Sequence, residues 1–572
     1  MRNIFLPICL LCAFIASAQN PLRIPTPLYG NQFNLNLVMG FTPYFGQQTM
    51  TMGANGNIMG PTLFLDQGDS VTLNVTNALG HETTMHWHGL HVSPENDGGP
   101  HSIIADGATW STRFKVKDWA STYWYHPHLH MHTDEQVTKG IAGFIIVRDS
   151  LEASLNLPRT YGVDDFPLAV QSRAFDAANQ FIVGSAADSF VLINGTMNPY
   201  IDAPSQIVRF RLLNGSSERS YNFGFSDNRN FYVIGSDGGL LTAPVSLNRL
   251  KLSPGERAEI LVDFGTNQGQ TVYLMSYAAE FLNGIYGAAQ TGMGAGQQIP
   301  GYSTNPLNGR NFNILEIRVG AATANSVTTV PTSLVSHNPW TEGTENITRT
   351  LTFRSTVMGP TAINGPFTIN NQSFDMDVIN YTIPLDNVEI WSLINSSPIA
   401  HPFHIHDVQF YILDINGVAP QAHEQGRKDV VMVMPMQTVR FITKFEDFSS
   451  DTMPYMYHCH LLTHEDDGMM GQFLVVDTTT NTAVNPINDK QINVNLFPNP
   501  FSEKATLLLD IDLAENLSLE IYDLQGKMLR NLQNISSKNI EIDRKGLPSG
   551  NYFYALKSNH KIIYSSMFSL TE

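Results

Sequence analysis

Cysteine is nearly absent from this chain of 572 residues: there are 3, and Cys9 and Cys12 lie close to the start. Cys459 is therefore alone in the rest of the chain, which excludes an internal disulfide framework and leaves one thiol free to act as a ligand. Cationic residues are also scarce, with 33 Lys and Arg against 51 Asp and Glu, for a net charge of −18 and a pI near 5.4. Nucleic acid and anionic membrane surfaces both need clustered cations, so neither is expected as a partner; cationic or neutral substrates suit the charge better. Past Ile15 no apolar run is long enough for a membrane-spanning helix, so an integral membrane protein is not expected.

The first residues have a different character. Met1-Arg2, an apolar stretch from Ile4 to Ile15 and Ala16-Ser17-Ala18 before Gln19 have the layout of a cleaved export signal, expected over 1–18. Cys9 could hint at a lipoprotein signal, but apolar residues continue past it. The remaining length is too great for one core and suggests several domains of ~100 to 200 residues.

Three segments repeat one pattern, an alternating strand that ends on Asn before a short turn: Val71 to Asn77, Val208 to Asn214 and Val388 to Asn395. Alternation closed by turn residues reads as a half-buried strand, and its recurrence implies related β-sandwich domains. After the first turn comes His86-Trp87-His88 and after the third His401-Pro402-Phe403-His404-Ile405-His406, whereas Ser220-Tyr221-Asn222-Phe223-Gly224 follows the second. Tyr125-His126-Pro127-His128 likewise parallels Tyr457-His458-Cys459-His460. The expected organisation is a first domain over 19–155, a second over 156–320 without ligands, a linker over 321–345, a third over 346–478, a linker over 479–492, and a small β domain over 493–572.

The pairs His86/His88, His126/His128, His404/His406 and His458/His460 are spaced i, i+2, so on a strand both imidazoles of a pair look the same way. Two pairs from the first domain and two from the third suggest a polynuclear metal cluster between them. Imidazole alone does not select copper, iron, nickel or zinc. Cys459 does: it must face away from His458 and His460, where it can join His401, His464 and, at a distance, Met469 in the His₂Cys plus weak thioether set of a blue-copper site.

These motifs resemble those of the three-domain multicopper oxidases, in the branch of bacterial cuprous oxidases and laccase-like enzymes. The resemblance covers about residues 30–480. It implies an all-β fold of three cupredoxin-like Greek-key sandwiches, and four coppers as cofactor. Carried onto this chain, it implies a type 1 copper on His401, Cys459 and His464 with Met469 axial and a type 2 copper on His86 and His404. A type 3 pair would lie on His88, His126, His128, His406, His458 and His460. Electrons from a small reductant would enter at His401 or His464 and pass through Cys459 to the cluster, where O₂ becomes water. Asp97 and Glu465 match family positions proposed as proton relays, although either could be an ordinary turn or loop acid. Asp429 matches a position near the type 1 site that helps bind Cu(I), or could hydrogen-bond an organic donor.

Other signals carry less. His91, His101, His130 and His132 flank the motifs, but the ligand set is complete without them. Met432, Met434, Met436, Met453 and Met456 could bind Cu(I), although methionine on strands more often fills cores. Thr350 to Asn370 contains none of the Met- and His-rich insertion found in the cuprous oxidases, which leaves the type 1 site more open and favours phenols or arylamines, with Cu(I) as the alternative reductant. The tail, with Phe497-Pro498-Asn499-Pro500 and Leu547-Pro548-Ser549-Gly550-Asn551-Tyr552, resembles a type IX secretion sorting domain. That implies the type IX machinery as a partner and a secreted or cell-surface location after transit through the periplasm. Rival readings are a cuprous oxidase dedicated to copper tolerance, a copper nitrite reductase, a copper-storage protein, and a non-catalytic relative; relatives of that last kind lack the cysteine and several histidines, all present here.

Overall fold

The computed structural model describes residues 19–294, 299–359, 361–478, 493–510, 517–523, 527–558 and 561–571. The expected export signal and the linker over 479–492 lie outside the described residues. The chain divides into two compact units, Met1–Asp477 and Thr478–Glu572.

The first unit consists of β-sheets packed in pairs. A 4-stranded sheet (Pro27–Leu28, Thr62–Asp66, Gly143–Arg148, Ser121–Tyr125) faces another formed by Gln32–Tyr44, Gln47–Ala54, Ser70–Ala78 and Thr109–Lys115. Sheets of 6 and 7 strands make the middle sandwich, and two 5-stranded sheets make the last. Strand Ser70–Ala78 shows why such layers form. Val71, Leu73 and Val75 are buried on its inner face, while the residues between them are only half-buried on the outer one. Separate apolar cores occupy the three sandwiches, around Trp87, Phe210 and Trp391.

The repeated asparagine explains how each strand is closed. The Nδ2 of Asn77 donates to the carbonyls of His81 and Ile104, each at 2.8 Å. Asn214 does the same to Arg219 and Leu252 at 2.8 and 3.0 Å, and Asn395 to Ile399 and Val433 at 2.8 and 2.9 Å. Each side chain is fully buried and also accepts from the backbone N–H two residues on, an Asx turn that fixes where the chain leaves the strand. In the first and third sandwiches the released segment carries histidines.

The middle repeat departs from the half-buried expectation. Strand Ile207–Asn214 is buried on both faces, Arg209 and Arg211 included. Arg209 pairs with Glu152 and Glu259, and Arg211 with Asp165 and Glu259, so the charged face is paired rather than solvated. The stretch over 321–345 has no strand. It is nevertheless tied down, because Val327 is buried against Leu240 and Leu261, and the Leu334 N–H donates to the Thr242 carbonyl.

The second unit pairs a 3-stranded sheet with a 4-stranded one over a core that includes Leu507, Leu519, Ile521, Leu556 and Phe568.

Candidate metal centres

Cys459 ends strand Tyr455–Cys459, and its sulfur turns into the core of the last sandwich. Its Sγ lies 3.4 Å from His401 Nδ1 and 3.7 Å from His464 Nδ1, and these two nitrogens are 3.3 Å apart. The Ser397 hydroxyl donates to the Ile399 carbonyl, so it accepts from His401 Nε2–H at 2.7 Å and leaves the His401 Nδ1 lone pair facing the sulfur. Burial alone lowers the His464 imidazole to about 3, and burial, helped by the nearby Glu465 and Glu218, pushes the Cys459 thiol up. A neutral imidazole is ready to ligate, and a buried thiolate needs a cation beside it. Met469 shares the buried cluster around Cys459, whereas Met470 pairs across strands with His458, on the other face. Phe367, which the sequence did not single out, packs its ring 4.8 Å from His401 and 4.5 Å from His464.

The eight paired histidines converge on a single buried cluster between the first and last sandwiches. Only His404 and His458 lie within strands; His406 and His460 come directly after those strands, while in the first sandwich His86 and His126 form an isolated bridge, His88 is in a turn and His128 in irregular chain. Alternation survives there because the backbone is still extended: Trp87, between His86 and His88, is buried in the core on the other side. Backbone carbonyls fix several of the rings. Nδ1–H of His86, His126 and His404 donates to the carbonyls of Asp97, Pro127 and Asp429 at 3.0, 2.8 and 2.8 Å, which turns each Nε2 inward.

His88 is reversed, with Nε2 3.2 Å from Asp429 Oδ1 and Nδ1 3.3 Å from both His126 Nε2 and His460 Nε2. His128 Nε2 and His458 Nε2 approach to 3.2 Å. Such facing lone pairs, and the buried Nε2 atoms of His86, His404 and His406 without a hydrogen-bond partner among the described residues, fit shared metal ions. Burial lowers the His88, His126, His404 and His406 imidazoles well below their ordinary value, and His460 to about 3.

Two buried carboxylates flank the cluster. Asp97 Oδ2 is 2.8 Å from His406 Nδ1, and its Oδ1 is 3.4 Å from His86 Nδ1. Glu465 Oε2 is 3.0 Å from His458 Nδ1 and its Oε1 3.4 Å from His128 Nδ1. Each thus touches one histidine of either sandwich. Gly98, φ 81°, lets the chain turn after Asp97; a Cβ there would lie 1.8 Å from the Met85 carbonyl oxygen.

Asp429 is not where the sequence suggested. It is fully buried beside His88, held by Arg257 Nη1 and Nη2 at 2.6 Å each, so it belongs to the imidazole cluster and cannot meet an incoming donor. Arg257 comes from the middle sandwich, whose Asp237 in turn binds Lys428 at 2.9 Å. The ligand-free domain therefore braces the cluster, through long-range contacts that no local motif signals.

None of the four flanking histidines joins the cluster. His101 bonds Gln472, His132 pairs with Glu135, His130 packs on Phe374, and His91 lies between Asp407 and Asp447. Met432 and Met434 pack on the apolar patch of Ile285, Ala288 and Ala400, Met456 is buried, and Met436 is exposed. His464, at 9 % exposure, is on the wall of a cavity of about 810 Å³ whose lining includes Glu135, Glu218, Asp466 and Asp467 as well as Met131, Ile299 and Ile363.

The chain matches the multicopper oxidase family in three segments, 40–152, 169–298 and 344–479, and a secretion system C-terminal sorting domain over 495–568. It is 32 % identical to a multicopper oxidase of Staphylococcus haemolyticus over 456 residues, 78 % of this chain and 88 % of the relative. It is also 31 % identical to the cell division protein FtsP of Escherichia coli, over 81 % of this chain and 94 % of that protein. A bacterial laccase-like multicopper oxidase, CueO of Ochrobactrum sp., described with activity towards lignin model compounds and lignosulfonate, superposes with a TM-score of 0.69 at 33 % identity, covering 80 % of this chain and all of that one. The lone cysteine and the converging histidines match this family's chemistry, and we conclude that the chain belongs to the multicopper oxidases, copper-dependent enzymes that use O₂ as oxidant, and carries a C-terminal secretion sorting domain.

Proposed function

We propose that this oxidase withdraws single electrons from small organic donors of the phenol or arylamine kind, or from Cu(I), at the cavity edged by His464, and reduces O₂ to water within the imidazole cluster. In this reading His401, Cys459, His464 and Met469 hold a type 1 copper, and His86 and His404 a type 2 copper. His88, His126, His128, His406, His458 and His460 hold the type 3 pair. Bound copper supplies one-electron redox chemistry at the thiolate set and O₂ reduction at the cluster.

The observation that carries the reading is the place of Cys459 in the chain. Its sulfur belongs to one donor set, while the residues bonded to it on either side, His458 and His460, belong to the other. A covalent path of a few bonds thereby joins the two. Asp97 and Glu465, each buried and within 3.4 Å of two imidazoles, are placed to pass on the four protons that O₂ reduction consumes.

A cavity lined both by acidic side chains, Glu135 and Asp467 among them, and by Met131, Ile299 and Ile363 suits an aromatic donor with a neutral or cationic polar end. The Ochrobactrum relative's described activity towards lignin model compounds supports the organic class. Export by a signal over 1–18, transit through the periplasm and delivery outside the cell by the type IX machinery fit the sorting domain. The test is oxygen uptake by the copper-loaded protein with Cu(I), a dimethoxyphenol and bilirubin in parallel. Uptake with the phenol is expected; uptake with Cu(I) alone would overturn the organic assignment.

A further inference from the structure

We propose that His91, which lies outside the donor set, is a positioning residue for the imidazole cluster: as an imidazolium clamped between Asp407 and Asp447 it fixes the chain that presents His406. The proposal rests on the reading of His406 as a ligand.

The geometry is that of a clasp across the seam between the first and last sandwiches. His91 Nδ1 is 2.8 Å from Asp407 Oδ1, and its Nε2 is 3.1 Å from Asp447 Oδ2. Nδ1 also lies 3.0 Å from the Asp407 backbone carbonyl, so both ring nitrogens face acceptors. A neutral ring has one N–H and would turn a lone pair toward one of them; only the imidazolium donates on both sides, to the Asp407 carbonyl and to Asp447, with the Asp407 carboxylate beside its charge. The ring is held in place from three further sides. Its backbone N–H donates to Asp118 Oδ1 at 2.9 Å, Lys117 reaches the other oxygen of Asp447, and the Phe448 ring lies 4.9 Å away.

Asp407 is what the clasp holds. It is 4 % exposed, its one ion-pair partner among the described residues is His91, and it is peptide-bonded to His406. Its φ is +71°, in the left-handed region that a residue with a Cβ adopts at a cost of ~1 kcal/mol or more. A strained conformation directly after a ligand persists only where its surroundings fix it, and the charged ring supplies that fixation. The His91 side also opens to water: a cavity of about 250 Å³ is lined by His91, Asp118, Asp407 and Asp447. Of the other charged groups on its wall, Lys444 pairs with Glu446 and Arg427 lies over the Trp119 ring, so neither cation competes for Asp407.

Burial by itself would lower the His91 imidazole, but Asp407 and Asp447 outweigh it and carry the group well above 6.5. The sign follows. The clasp contributes fully below the ordinary histidine value of 6.5 and is lost as pH rises through the raised one.

The experiment compares the wild-type full-length chain with His91→Gln and Asp447→Asn. Its first readout is the thermal midpoint against pH without added copper, which does not depend on the ligand reading. The wild type should lose stability on the alkaline side, His91→Gln should show no such limb, and Asp447→Asn should shift it to lower pH. The second readout is the electron paramagnetic resonance signature of the cluster coppers in the loaded protein. His91→Gln should show at neutral pH the signature the wild type acquires only when alkaline, with the Cys459 visible band unmoved and turnover on a phenol about tenfold lower. A uniform fall in midpoint with an unchanged pH limb and wild-type resonance would overturn the proposal. So would an unshifted limb in Asp447→Asn, which decides the matter if His91→Gln does not fold. An alkaline limb that responds as expected with an unperturbed cluster signature would show the clasp to be real and the reading of His406 to be at fault.

Discussion

His406 Nδ1 and Asp97 Oδ2 lie 2.8 Å apart although one belongs to the last sandwich and the other to the first. The contact orients a ring of the cluster and places a buried acid where protons are consumed. Asp97→Asn keeps the shape and removes the proton-holding group. Turnover is expected to fall about 100-fold, within the range for general acid–base groups, while the visible band of the Cys459 site persists. Stopped-flow reoxidation of the reduced enzyme by O₂ checks this, since the loss should appear in that half-reaction and not in reduction by the donor.

Asp429 is expected to act on His88 rather than on the donor. By accepting from His88 Nε2–H it leaves Nδ1 free toward His126 and His460. Asp429→Asn weakens that preference. Copper retention by the cluster is expected to drop about 10- to 100-fold, measured by metal analysis after dialysis against a chelator, with KM for a phenol unchanged.

Met469 and Met470 can be told apart. Met469 shares the core of Cys459 and Met470 faces His458. Met469→Leu is expected to raise the reduction potential of the blue site, and Met470→Leu to leave it in place; spectroelectrochemical titration reads both.

The cavity at His464 is lined by Glu135 and Asp467 and, among the described residues, by no Lys or Arg. Asp467→Asn is expected to lower kcat/KM for a cationic arylamine about two- to threefold at low salt and to raise it for an anionic donor, with the difference vanishing at high ionic strength. Steady-state kinetics at two salt concentrations is the check.

Buried charge in the middle sandwich sets the acid limit. Burial alone would raise the Glu259 carboxyl, but Arg209 and Arg211 bring it from 4.5 down to about 2. Its folded value is depressed, so its contribution is present above 4.5 and lost as pH falls toward 2. Glu259→Gln leaves two buried guanidinium groups with one carboxylate partner each, Glu152 for Arg209 and Asp165 for Arg211, and is expected to cost about 3 kcal/mol at neutral pH, with a flatter acid limb in thermal melts.

How far the sequence reached depended on how local each feature is. The i, i+2 histidine pairs and the cysteine between two of them are legible because an extended backbone alternates faces whether or not it forms ladder hydrogen bonds; Trp87 and Cys459 both point away from their neighbours as expected. The recurrent Asn77, Asn214 and Asn395 also mark structure directly, since each closes its own turn. The surroundings of Asp429 are not legible in the sequence, because its partners, His88 and Arg257, are 341 and 172 residues away. Arg257 itself sits in a domain with no ligands and carries no motif. His91 reads as a bland flanking histidine until the last sandwich brings Asp407 and Asp447 to either side of its ring.

Replacement of Cys459 by Ser separates the thiolate set from the imidazole cluster, because it removes one sulfur atom and leaves every histidine in place. The variant should fold with a thermal midpoint close to that of the parent, bind copper at the imidazole cluster, and lose both the intense visible band and oxygen uptake with any donor. A variant that stays blue, or that consumes O₂ at the parental rate, would contradict the account.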